Sequence, residues 1–178
     1  MSWRATPRGE KNFPTLALIG FTLRKLATRP LWPMFSVLLS CVLLMALTTL
    51  FHYEVLRGLH LGLPKLRIPP RTKLLVTILV AFVAHVVEIG LYAVTLFSLI
   101  RYMGVGNLGT QNEANFLECL YFSAETYTSL GLGDIHSSGP IRLIAGAASL
   151  NGLLLIAWSA SFVYLAMEKF WASGSRAQ

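Results

Sequence analysis

The chain has 178 residues, of which 54% are hydrophobic and 13% charged, and its mean hydropathy is +0.60. This composition excludes an ordinary soluble domain, because too few polar side chains are available to cover a globule of this size. The formal charge of +7 does not indicate nucleic acid, since the basic residues stand in short clusters beside apolar runs, as anionic lipid headgroups and the positive-inside rule favour. Two cysteines, Cys41 and Cys119, lie in apolar surroundings, so no disulfide framework is expected. The sequence predicts a membrane protein.

Residues 1–30 form a basic segment whose one apolar run, Phe13–Leu23, is too short to cross about 30 Å of hydrocarbon. An interfacial helix, a signal peptide and a translation start at Met34 all remain open for it. Residues 31–52 then contain no charged residue, and prolines near their start suit the first turn of a helix. This segment predicts an extra transmembrane helix.

A basic, proline-broken loop is predicted over residues 53–73, and it is expected in the cytoplasm beside anionic lipid headgroups. A second apolar run, 74–100, is long enough to span the membrane with some tilt. It contains His85 and Glu88, three residues apart and therefore on one helical face. An ionisable pair inside a membrane is a candidate functional site. Because no third ligand stands nearby in the sequence, a hydrogen-bonded tie to another helix or subunit is favoured over a metal site.

The segment Arg101–Ala114 is rich in glycine and asparagine and predicts a loop. Asn115 is suited to cap a helix over 116–128, whose C-terminal end would stabilise a cation through its partial negative charge. An amphipathic surface helix would explain the aromatic residues of this segment. It would not explain the Gly-Leu-Gly-Asp run that follows.

Residues Thr128–Asp134 read Thr-Ser-Leu-Gly-Leu-Gly-Asp. A row of ion sites needs successive backbone carbonyls aimed at one axis, whereas a strand alternates them. Left-handed residues at alternate positions solve this problem, and Gly131 and Gly133 reach positive φ at little steric cost. The hydroxyl of Ser129 would add an oxygen at the inner mouth.

The stretch Glu118–Ile135 resembles the pore helix and selectivity filter of potassium channels, whose signature is T-x-G-[YFL]-G followed by Asp. The extra N-terminal helix and the H-x-x-E-I start of the outer helix are similar to a group of small bacterial ion-channel proteins, and the resemblance covers about residues 34–170. Ser129 and Leu130 stand where Thr and Val are usual, and Leu132 replaces the common Tyr. A non-selective monovalent cation channel is therefore the alternative to a potassium-selective one.

The resemblance implies an all-α membrane protein with three transmembrane helices plus a re-entrant pore helix and filter loop. Because such a filter is a ring of four loops, the working unit is expected to be a homotetramer. The pore domain would cover 74–168 and a cytoplasmic tail 169–178. Glu125 and Asp134 would support the filter from behind. Potassium ions, the only ligands expected, would bind at Thr128, Ser129, Leu130, Gly131, Leu132 and Gly133.

The inner helix is predicted to begin at Pro140 and to reach Met167. Asn151 and Gly152 lie in its middle, where glycine is tolerated mainly for bending or for close packing. A gating hinge and a packing contact remain equally open for Gly152. Asn151 follows helical spacing with Leu155, Ser159 and Phe162, and this face is expected to line the ion cavity.

If Asp134 marks the outer mouth, the 53–73 loop and the C-terminus are cytoplasmic, in agreement with the positive-inside rule. The N-terminus would then be external, against that rule. We expect a passive potassium-selective channel, not an enzyme, in a cell membrane that is a bacterial inner membrane. Two other classes stay open: a non-conducting accessory subunit, and a membrane enzyme or metal transporter. The latter would use His52, His60, His85 and Glu88, which do not form a ligand set by spacing.

Overall fold

A computed structural model describes residues 32–109 and 115–175, with side chains described as far as residue 169. Three long helices are apolar enough to cross a membrane, and a fourth, shorter helix lies between the second and third. The predicted basic segment 1–30 and residues 176–178 lie outside the described residues. In chain order the elements are α1 (Trp32–Gly62), a 3₁₀ turn (Leu63–Lys65), α2 (Pro70–Met103), β1 (Asn107–Leu108), α3 (Phe116–Tyr127), β2 (Ser137–Ser138) and α4 (Arg142–Ser175).

The predicted fold class is confirmed: the chain has three transmembrane helices with a short re-entrant helix before the last. One feature was not predicted, a pair of two-residue antiparallel strands in which Asn107 faces Ser138 and Leu108 faces Ser137. This pairing joins the segment before α3 to the segment after the filter. Strands of this length leave no periodic pattern that a sequence reading can detect.

One hydrophobic core includes residues from all four helices. Tyr92 and Leu96 of α2 are almost completely buried, and they are joined by Val37 of α1. The same cluster includes Cys119 and Phe122 of α3 and Ile141, Ile144 and Ala148 of α4. The extra N-terminal helix is therefore part of the core that holds the pore helix.

The boundaries predicted as 31–52 for the extra helix and 53–73 for the loop are wrong. α1 continues for ten residues beyond His52, because Leu56 and Leu59 pack in a second hydrophobic cluster whose other members are Leu63, Val76, Val80 and Phe162. The exposed pair Arg57–Glu54, with nitrogen and oxygen 3.3 Å apart, lies on the same helix. The helix ends only before Pro64, so the connection is shortened to residues 63–69.

The last helix also differs from its predicted boundaries. Pro140 and Ile141 form a turn, and α4 begins at Arg142. At its other end α4 continues to Ser175 instead of ending near residue 168. Most of the predicted tail, 169–178, is therefore a continuation of the inner helix.

Candidate functional site

The short helix α3 sets the direction of the segment that follows it. Asn115 precedes the helix, and its backbone N–H donates to Glu118 Oε2 at 3.3 Å in a capping box. The helix then runs to Tyr127, in agreement with the predicted span. Its C-terminal end carries partial negative charge, which favours a cation beside residues 128–134.

The backbone of the predicted filter alternates in handedness. The φ angles are +57° at Ser129, +54° at Gly131 and +82° at Gly133, while Leu130 and Leu132 between them are not at positive φ. No atom lies within 4 Å of a Cβ built at either glycine, so glycine is required there by conformation and not by lack of space. This is the alternation that places successive carbonyls on one side of a chain.

The sequence did not reveal that Ser129 also has a positive φ. A non-glycine residue at positive φ is uncommon, and in a sequence nothing distinguishes this serine from one in a strand or a turn. In the structure its backbone N–H donates to the Thr126 carbonyl at 3.0 Å. The alternation of positive and negative φ therefore begins at Ser129, two residues before the first of the two glycines.

Hydrogen bonds hold the N-terminal end of the predicted filter against the end of α3. The N–H groups of Leu130 and Gly131 donate to the Glu125 carbonyl at 2.9 and 3.3 Å. The hydroxyl of Thr128 donates back to the Ala124 carbonyl at 2.8 Å. From the inner helix, Ser149 Oγ donates to the Thr126 carbonyl at 2.7 Å. The start of the filter is thus held by both α3 and α4.

The C-terminal end of the predicted filter is held through Asp134. Tyr121 donates its hydroxyl to Asp134 Oδ2 at 3.0 Å, and the Ile135 N–H donates to Asp134 Oδ1 at 3.0 Å. The hydrogen bond to Asp134 raises the pKa of Tyr121. The sequence predicted Glu125 and Asp134 as supports of the filter, and the structure adds Tyr121 as a direct donor to Asp134.

Glu125 lies beside this outer anchor and is only 5% exposed. Its burial, and next the negative charge and hydrogen-bonding contact of Asp134, raise the pKa of Glu125. No donor among the described residues reaches Glu125 Oε2. Because two ionised carboxylates are both acceptors, a hydrogen bond between Glu125 and Asp134 needs a proton on one of them.

The prediction that Asn151 lines the ion cavity is wrong, because its side chain is buried between helices of the same subunit. Asn151 is buried, and its amide nitrogen donates to Thr48 Oγ1 at 2.7 Å and to the Tyr92 hydroxyl at 3.2 Å. The face of α4 that carries Asn151, Leu155 and Ser159 is buried, and Asn151 and Ser159 contact α1 and α2 there.

For Gly152 the structure favours close packing over a hinge. A Cβ at this position would overlap the carbonyl oxygen of Tyr127. The inner helix therefore approaches the last residue of α3 as closely as a backbone permits.

The pair His85 and Glu88 has a third partner that sequence spacing did not reveal. His52 of α1 places Nδ1 2.8 Å from Glu88 Oε1, while His85 Nδ1 lies 3.1 Å from Glu88 Oε2. Tyr127 donates its hydroxyl to the same carboxylate. The pair thus ties α2 to α3, as favoured from the sequence, and also to the extra helix.

Three helices long and apolar enough to cross a membrane, with a short helix between the last two, define a helical membrane protein. A family model described as "Ion channel" matches residues 76–169, which is 94 of the 178 residues. The chain belongs to this ion channel family. No curated protein and no solved structure matches it.

Proposed function

We propose that the protein is a passive potassium-selective channel whose filter is formed by residues 128–133 of four identical chains. The observation that carries the proposal is the alternating left-handed backbone at Ser129, Gly131 and Gly133. A carbonyl-lined filter replaces the hydration shell of a potassium ion only if consecutive carbonyls face the ion path. In this function no cofactor takes part besides the conducted ion, and no catalytic step occurs.

The exposed filter supports assembly into a homotetramer. Leu130 and Leu132 are 65% and 61% exposed in the single chain, and their non-helical backbone is tolerated at membrane depth only where it is buried in protein or lines a water-filled cavity. One chain supplies one filter strand, whereas a closed ring of this kind has four. Neighbouring chains would cover the leucines and complete the ion sites.

We place the filter's outer mouth at Asp134, and the 63–69 connection is then cytoplasmic. The protein is accordingly a multi-pass protein of the cell membrane, and we propose that this membrane is a bacterial inner membrane. Lys65, Arg67, Arg71 and Lys73 then lie on the cytoplasmic side, near anionic headgroups. A cysteine introduced at Lys65 should resist an impermeant external thiol reagent in intact cells. Rapid labelling there would mean that the chain is inserted the other way round.

The function is tested with the purified chain reconstituted in liposomes, where potassium, rubidium and sodium fluxes are compared. We expect a tetramer by light scattering, with potassium and rubidium flux well above sodium flux. Equal fluxes of all three ions would favour the second candidate, a non-selective cation channel, for which the exposed Leu132 at the usual tyrosine position is the specific observation. A stable monomer or dimer without flux would refute both, leaving a non-conducting accessory subunit.

A further inference from the structure

A cluster of polar side chains is buried where all four helices meet. It consists of His52 on α1, His85 and Glu88 on α2, Tyr127 on α3 and Ser159 on α4. The side chains of His52 and Glu88 are completely buried, and that of His85 is 17% exposed. Polar groups are kept at such depth in a membrane protein only when they bind each other or a ligand.

The two imidazoles converge on one carboxylate. The Nδ1 atoms of His52 and His85 lie 2.8 and 3.1 Å from the two oxygens of Glu88. Their rings stack with centroids 5.1 Å apart. One ligand atom from each of the three residues falls within 4.8 Å of the others.

Without an added cation, the cluster has fewer hydrogens than contacts. On the far side of the rings, both Nε2 atoms contact Ser159 Oγ, at 3.0 Å for His52 and 3.1 Å for His85. Together with the two contacts between the imidazoles and Glu88, and the two of the Tyr127 hydroxyl with Glu88 and with His85 Nδ1, they make six. Because one Nδ1–H of His85 can be shared between Glu88 and Tyr127, the six contacts need at least five hydrogens. Two neutral imidazoles, one serine and one tyrosine supply four. One contact is therefore left without a hydrogen unless the site also holds a further proton or a metal ion.

A divalent metal ion removes this shortage. With the metal bound to both Nδ1 atoms and to one Glu88 oxygen, each Nε2 carries a hydrogen and donates it to a lone pair of Ser159 Oγ. Tyr127 still donates to the second oxygen of Glu88. The contacts to Ser159 and the one from Tyr127 to Glu88 then each have a donor and an acceptor, and Ser159 becomes the outer partner that orients both metal-bound imidazoles.

The ligand types and spacing match those of zinc. Two imidazole nitrogens and one carboxylate oxygen form a known zinc set, and imidazole also suits other late first-row metals. Ligands at about 2.0–2.1 Å from a tetrahedral ion are roughly 3.4 Å apart. With Glu88 Oε1 as the metal ligand, its distance of 2.8 Å from His52 Nδ1 needs to widen by only about half an ångström. Water or the Tyr127 hydroxyl would complete the coordination.

We propose that His52, His85 and Glu88 form a binding site for a divalent transition-metal ion of the zinc class, which locks the extra helix to the pore. Tyr127 is the link to conduction, because it directly precedes the filter and its carbonyl is in close contact with the backbone at Gly152. An ion at this site fixes the position from which the filter starts. Metal binding is measured on the purified protein, so it succeeds or fails independently of the proposed ion selectivity.

The test uses the full chain purified in detergent, loaded with Zn²⁺, freed of unbound metal and analysed for metal content. We expect about one Zn²⁺ per chain, and at least a 10- to 100-fold loss of affinity in His52→Gln and in Glu88→Gln. His60→Gln is the matched control, because His60 lies on the same helix but is exposed and outside the cluster. Ser159→Ala should weaken binding about 10-fold.

Wild-type protein loaded with Co²⁺ gives a readout that needs no variant. A tetrahedral nitrogen–oxygen site produces strong visible absorption, and excess Zn²⁺ should abolish it. The proposal is overturned if wild type binds no more metal than His52→Gln and shows no such absorption. That result would mean that a proton supplies the missing hydrogen.

Discussion

Replacing Gly131 by alanine tests whether the alternating backbone carries conduction. The φ of Gly131 is +54° and no atom lies within 4 Å of the added Cβ, so the substitution creates no clash and its cost is conformational. A Cβ at a left-handed position costs about 1–2 kcal/mol. In a ring of four chains this becomes about 4–8 kcal/mol, which lowers the population of the conducting filter at least about a thousandfold.

The assay is potassium flux into liposomes at matched protein density, with assembly checked by light scattering. Gly90→Ala is the control, because Gly90 also has no atom within 4 Å of its Cβ position but lies inside α2 at ordinary helical φ. There alanine should stabilise the helix by about 0.8–1 kcal/mol and leave flux unchanged. If Gly131→Ala assembles and conducts with unchanged selectivity, the carbonyl-ring mechanism is wrong for this protein.

Three further substitutions test the supports of the filter. Tyr121→Phe removes the hydrogen bond to Asp134 and should shorten single-channel open times with ion preference kept. The pKa of Glu125 is raised, so the proton that Glu125 shares with Asp134 is present at low pH and is lost as the external pH rises through that raised pKa. Single-channel open times should therefore depend on external pH in the wild type. In Glu125→Ala they should not. Gly152→Ala forces α4 away from Tyr127 at a cost of about 1–3 kcal/mol per chain and should lower the thermal stability of the assembly.

Matched controls separate these effects from general damage. Tyr102→Phe removes a hydroxyl from a side chain that is 80% exposed, and open times should not change. Gly146→Ala adds a methyl group to the same helix as Gly152 at a position with no atom within 4 Å, and stability should not fall. Equal effects in a variant and its control would contradict the corresponding contact.

The sequence allowed the fold and the filter segment to be predicted because both depend on local signals. Uncharged runs of membrane length specify the helices, Asn115 and Glu118 mark the start of α3, and two glycines in alternation indicate where positive φ is available. Each signal lies within a few residues of the feature that it predicts. The structure agrees with all three.

Features that depend on the relative rotation of distant helices were not predictable. His52 and Glu88 are 36 residues apart, and nothing in the sequence shows that the two helix faces meet. Asn151 was wrongly assigned to the ion cavity. Its spacing in the sequence defines a face of α4, but it does not show toward which helices that face is turned. The end of α1 was placed too early, since charged residues after His52 suggested a loop while Leu56 and Leu59 pack against other helices.

The buried contacts of α1 make it a structural part of the pore and not an added anchor. Without it, Glu88 would lose His52 and Asn151 would lose Thr48, although both residues are almost completely buried. A buried polar group left without its partner costs about 1–3 kcal/mol, and a charged group costs more. Asn151 and Ser159 give α4 a polar face toward α1. Here that face exists because α1 covers it, so the extra helix and the polar residues of α2 and α4 depend on one another.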